Sequence, residues 1–200
     1  MFTTLLLPTV VTTAFSPAYT TTPRLKPLNA VGIFYSTTTG NTETIAGYIQ
    51  EATGLDEIYD IGSVEASTFT GFDGMICGAP TWHTGADEQR SGTSWDDVLY
   101  GWMQEADLSG KTIAIFGVGD QGSYAENFCD AAGELYDVLT ERGAKVIGFT
   151  STDGYDHDDS KAIRDGMFCG LMCDEDNQYD LSAERASTWI SKLKADGMPF

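Results

Sequence analysis

Four short runs of this chain, residues 31–35, 74–79, 112–118 and 145–149, are apolar almost throughout rather than at every second position. A strand without alternation must be covered on both faces, which is the signature of a buried parallel sheet. The intervening segments carry apolar residues at helical spacing: Ile45, Ala46 and Ile49 over 41–52, and Val98, Leu99, Trp102 and Met103 over 94–105. Residues 124–142 read as the longest helix, with Gly143 placed to end it, and 182–194 as a closing helix with Ala186, Trp189, Ile190 and Leu193 inward. With a short edge strand at 56–60, the pattern is strand–helix alternation. It predicts an α/β, doubly wound sheet of five parallel strands with helices on both faces. Two hundred residues suffice for one full core and not comfortably for two. The folded domain is expected over residues 30–200.

The charge balance narrows the partners. Thirty acids face eleven bases, a net charge of -19, which repels nucleic acid and anionic membranes and favours basic-faced proteins. The first acid is Glu43; before it stand only Arg24 and Lys26, in a Thr- and Pro-rich stretch that follows an apolar opening. That composition reads as targeting sequence over residues 1–29, of the signal-plus-transit kind used for import into plastids, and the apolar part is too short to span a membrane. Cys77, Cys129, Cys169 and Cys173 form no Cys-x-x-Cys pair and read as buried free thiols, with no convincing metal set. Nothing points to an oligomer, and a monomer is expected.

Ligands of such sheets bind beyond the carboxyl ends of the strands, and three of those ends carry unusual loops. Ser36-Thr37-Thr38-Thr39-Gly40-Asn41-Thr42 runs from a strand onto a helix start and offers hydroxyls and backbone N–H groups to an anion. It holds no Lys or Arg, and Asn41 stands where a triphosphate-binding loop needs Lys, so it suits a phosphate monoester. Pro80-Thr81-Trp82-His83-Thr84-Gly85 places an indole just past a strand, where it can stack on a flat ring, and Gly85 permits the preceding peptide to turn either way. The third loop, Gly117-Val118-Gly119-Asp120-Gln121-Gly122-Ser123-Tyr124, lets backbone approach a ligand edge and supplies a second ring. Together the loops describe a slot for flavin mononucleotide (FMN).

These segments, with Ala79-Pro80, Tyr124-Ala125-Glu126-Asn127-Phe128, Ser151-Thr152-Asp153-Gly154-Tyr155 and Asp174-Glu175-Asp176-Asn177-Gln178, resemble the flavodoxins of the long-chain type from about residue 30 onwards. The resemblance implies the strand order 2-1-3-4-5, with the last strand interrupted by a long loop from Ser151 to about Met172. It implies that Thr37 to Thr42 hold the FMN phosphate, with Ser36 beside them in the site. Trp82 and Tyr124 would then sandwich the ring, Asp120 with nearby backbone, such as Val118 and Gly119, would read the pyrimidine edge, Asp176 would touch the ribityl chain, and Asn127 would belong to the cofactor site. A carbonyl at His83 or Thr84, freed by Gly85, would meet a protonated ring nitrogen. His83 and Gly122-Ser123 depart from the family's usual residues there. His83 and His157 otherwise read as solvent-facing. The implied activity is electron carriage rather than catalysis, with photosystem I as donor and a ferredoxin–NADP reductase as acceptor. An FMN-dependent NAD(P)H:quinone reductase is the rival on the same fold, but it would need one ring face open. A phosphoacceptor signalling domain would want acids where Ser36 and Thr37 stand.

Overall fold

The structure is a computed structural model that describes Met1 and residues 31–200; the expected targeting segment lies, apart from Met1, outside the described residues. Strands β1 (Val31–Tyr35), β2 (Ile58–Asp60), β3 (Gly74–Pro80), β4 (Thr112–Val118) and β5 (Lys145–Ile147) form a parallel sheet in the order β2-β1-β3-β4-β5. Helices α1 (Asn41–Thr53) and α5 (Tyr179–Asp196) pack against one another on one face; α3 (Ser94–Leu99) and α4 (Asp130–Glu141) cover the other. A one-turn α2 (Ala66–Phe69) precedes β3. Neighbouring residues of one strand serve opposite cores. Ile33, Ile76, Ala114 and Phe116 face α1 and α5, whereas Phe34, Met75, Cys77, Ile113 and Ile115 face α3 and α4. That is why the runs are apolar at every position.

The last strand is split. Gly148 has φ +85 and turns the chain out of the sheet, its carbonyl accepting the Trp189 indole N–H at 2.7 Å. The chain then builds a small antiparallel sheet from β6 (Thr150–Ser151), β7 (Ile163–Arg164) and β8 (Met167–Phe168), and returns as β9 (Leu171–Cys173). β9 pairs with Phe116–Val118 of β4, directly beyond the stretch that β5 occupies. The interruption expected from Ser151 to Met172 is therefore an insertion between two halves of one strand position.

Two helices differ from expectation. Residues 124–142 do not form one helix: a 3-10 turn at Ala125–Asn127 is followed by Cys129 in the left-handed region at φ +57, and only then by α4. The cause is tertiary. The Phe128 carbonyl accepts the Ser160 hydroxyl of the insertion, and Lys161 N donates to Asp130 Oδ1 at 2.7 Å, so the insertion draws the chain out of helical register. Among the described residues the longest helix is α5, with 18 residues. The segment 94–105 ends as α-helix at Leu99 and continues past Gly101 as a 3-10 turn, Trp102–Glu105; a Cβ on Gly101 would lie 2.4 Å from Asp97 O.

The mononucleotide site

A cavity of about 480 Å³ opens at the carboxyl ends of β1, β3 and β4. The first loop contributes Thr39, Asn41 and Thr42 to its wall; the second Pro80, Thr81, Trp82 and Thr84; the third Val118, Gly119, Asp120 and Tyr124; and Asp176 closes the rim. Twelve residues from four separated segments thus meet, all of them among those expected from sequence. Ser36, Thr37, Thr38, Gly40, His83, Gly85 and Asn127 lie outside the wall.

At the hydroxyl end, Gly40 takes φ +96 and leads into α1, and Thr37 Oγ1 accepts Gly40 N at 3.0 Å, which spends Thr37 on the loop itself. The Ser36 and Thr42 hydroxyl oxygens are buried without a hydrogen-bond partner. Buried polar atoms are almost always paired, so two such hydroxyls beside the free N–H groups of a thirteen-residue helix mark a place built for an acceptor. No base lines the cavity. Neutral donors of this kind fit a phosphate monoester.

At the other end two rings stand out of the core: Trp82 is 49% exposed and Tyr124 53%. Two exposed rings in the wall of one cavity suit a flat heterocycle. Trp82 N and His83 N both donate to Arg90 O, at 3.2 and 3.1 Å. His83 Nδ1 lies 2.6 Å from Gln89 O, so the imidazole braces the loop. Thr81 Oγ1 accepts Ala131 N from the start of α4. Gly85, at φ +76, has no atom within 4 Å of the place its Cβ would take.

The third loop is tied by carboxylates. Asp120, which lines the cavity, accepts Gly122 N, Ser123 N and Asn177 Nδ2 on its Oδ1 at 2.8–3.0 Å. Burial pushes the Asp120 carboxyl up, but those hydrogen bonds from Ser123, Asn177 and Gly122 outweigh it and hold it below the usual range. Asp176 moves the other way: burial raises it, and the charges of Asp120 and Asp174 add to the rise. Asn127 turns from the cavity, its amide donating to Asp130 Oδ2.

Sequence reading passed over Asp174, which is fully buried. Its oxygens accept Asp176 N, Asn177 N and Gln121 N at 2.9–3.0 Å and so join the third loop to the rim. The available signal was an acid placed directly after the apolar run 171–173. His157 is a correction: its ring packs on Phe128 and Phe168, with centroids 5.6 and 5.2 Å away, and Nδ1 is buried. All four cysteines are buried thiols, and burial pushes Cys169 and Cys173 up to about 12. Among the described residues no His, Cys, Asp or Glu cluster could hold a metal ion, and no helix is long and apolar enough to cross a membrane.

An open parallel sheet with a phosphate cradle and paired rings at its carboxyl edge defines a mononucleotide-binding α/β protein. A family model described as flavodoxin matches residues 33–189. The flavodoxin of Picosynechococcus sp. is 46% identical over 170 residues, covering 84% of this chain and 97% of its own; that of Nostoc sp. is 43% identical over 168 residues, covering 83% and 96%. The crystal structure of Fusobacterium nucleatum flavodoxin bound to flavin mononucleotide superposes with a TM-score of 0.75 at 33% identity, over 83% of this chain and 97% of that one. The chain belongs to the flavodoxin family.

Proposed function

We propose that this chain is a long-chain flavodoxin that binds FMN non-covalently and carries single electrons between proteins, standing in for ferredoxin between photosystem I and a ferredoxin–NADP reductase in a plastid. One observation carries the reading: a single cavity joins two unpartnered buried hydroxyls, Ser36 and Thr42 beside it, to the half-exposed rings of Trp82 and Tyr124. The family and the FMN-bound relative support it.

Bound FMN would supply the one-electron chemistry. The chain would hold it. Ser36, Thr42 and the start of α1 donate to the phosphate; Trp82 and Tyr124 cover the ring faces and keep water off them. The acidic surroundings disfavour adding an electron: a carboxylate about 10 Å away at an effective dielectric near 40 contributes roughly 0.8 kcal/mol, or about 35 mV. Asp120 and Asp176 are the carboxylates in the wall. The same two rings speak against a quinone reductase, which needs one face free.

Recombinant residues 30–200 incubated with FMN should leave a desalting column yellow and oxidise NADPH hardly at all until a reductase is added. Colourless protein, or brisk unaided NADPH oxidation, rejects the reading. A reporter fused behind residues 1–29 should enter plastids; retention outside them rejects the plastid assignment alone.

A further inference from the structure

The loop that carries Trp82 has little apolar anchorage. Residues 87–89 are exposed, and no regular structure spans 81–93. What fixes it is a relay of hydrogen bonds. Trp82 N and His83 N both end on Arg90 O, so the setting of Arg90 decides the setting of Trp82. Arg90 in turn is held from across the fold: Arg90 N donates to Glu134 Oε2 at 2.8 Å, and Gln89 N to Glu134 Oε1 at 2.7 Å. The same Oε1 accepts the Tyr100 hydroxyl at 2.5 Å.

Glu134 is an unusual place for this. It sits in α4, is 4% exposed, and among the described residues forms no ion pair. A buried carboxylate is tolerated only where donors replace its water, and here three do. Burial and the adjoining Glu134 push the Tyr100 hydroxyl up, so it remains a donor. The far end of the segment is gripped similarly, Asp96 accepting Ser91 N, the Ser91 hydroxyl and Gly92 N. Gln89 is kept at φ +57, a region uncommon for a residue with a side chain.

We propose that Glu134 is a positioning residue: it latches the 89–90 segment to α4 and thereby sets the Trp82 ring against the flavin. The latch stands on the coordinates; its effect on the flavin rests on the function proposed above.

Amide hydrogen exchange and FMN titration of the full chain test both parts. In the unsubstituted protein, Gln89 and Arg90 amides exchange slowly although they lie in an exposed loop. Glu134→Gln keeps the shape but sets an NH2 group against a backbone N–H. It should speed exchange at Gln89, Arg90, Trp82 and His83 by about ten- to a hundredfold, the range expected for losing a charge-assisted hydrogen bond, while amides of β4 change less than about twofold. The dissociation constant for FMN rises by a similar factor, and the midpoint potential of the loaded protein shifts upward. Tyr100→Phe, which leaves both backbone contacts intact, changes loop exchange by less than about threefold. Gln89 and Arg90 exchanging like free peptide in the unsubstituted protein overturns the latch, even if the variant fails to fold. A loosened loop with unchanged FMN affinity and potential overturns the positioning role. Failure of the unsubstituted chain to bind FMN overturns the functional reading and leaves the exchange result standing.

Discussion

Asp120 and Asp176 line one cavity and titrate in opposite senses. Asp120 is held below the ordinary carboxylate value by its hydrogen bonds, so it binds protons less readily folded than unfolded. Its stabilisation is present above the unfolded pKa and is lost as pH falls through the folded one. Asp176 is raised, so its contribution runs the other way, present at low pH and lost as pH rises through its folded value. Asp120→Asn should therefore lower the melting temperature at pH 7, with the deficit shrinking as pH falls below about 4, the unfolded carboxylate value. Asp176→Asn should raise it at pH 7, with the gain vanishing on acidification. Thermal scans from pH 7 to pH 3 check both signs. At this scale the legible residues were Trp82, poorly placed for the core because its strand has just ended, and Tyr124, set at a helix start beyond a glycine loop. Glu134 was not legible, because a buried acid looks in sequence like a surface one; Asp174 had only its place after the apolar run 171–173 to mark it.

The element whose purpose the sequence left blank is the insertion between β5 and β9. It acts as a prop behind the third loop. Asp158 N and Asp159 N donate to Ala125 O, Asp156 N to Gln121 Oε1, and the Ser160 hydroxyl to Phe128 O. Tyr155, His157 and Phe168 close an aromatic cluster over Phe128. Ser160→Ala would leave the Phe128 carbonyl without its hydroxyl donor and should cost about 1–3 kcal/mol. Urea unfolding should show a lower midpoint with an unchanged slope, and the chemical shift of Tyr124 should move with it. An unaltered midpoint would mean the prop is not there. The same contacts explain the broken helix at 124–142. Periodicity sees only the apolar spacing of Phe128, Ala131 and Leu135; it cannot see that a loop 32 residues later takes the carbonyl at 128.

Across the whole molecule the excess of acid is barely compensated. The ion pairs among the described residues join Arg142 to Glu141, Arg164 to Asp137, Lys192 to Asp196 and, when protonated, His83 to Asp96. With a net charge of -19, the molecule repels itself. Raising salt from about 10 to 150 mM shortens the screening length from about 30 to 8 Å. The melting temperature should rise over that range as self-repulsion is screened, while electron transfer to a basic-faced reductase should slow as steering is lost. Stopped-flow rates independent of salt would remove the steering argument without touching the fold.

From sequence alone came the parallel sheet, its five strand positions, the three loops and the two rings that frame the cavity. Each rests on local pattern: apolar runs without alternation, helical spacing, and the residue types set at strand ends. Tertiary structure alone decided that Asp120 Oδ1 ties its own loop while the residue lines the cavity, and that His157 is packed. It also decided that 124–142 breaks at Cys129, and that Glu134, Asp96 and Asp174 hold the loops from behind. Those outcomes depend on which distant N–H reaches which carboxylate, and such pairing is set only when the sheet has brought the segments together.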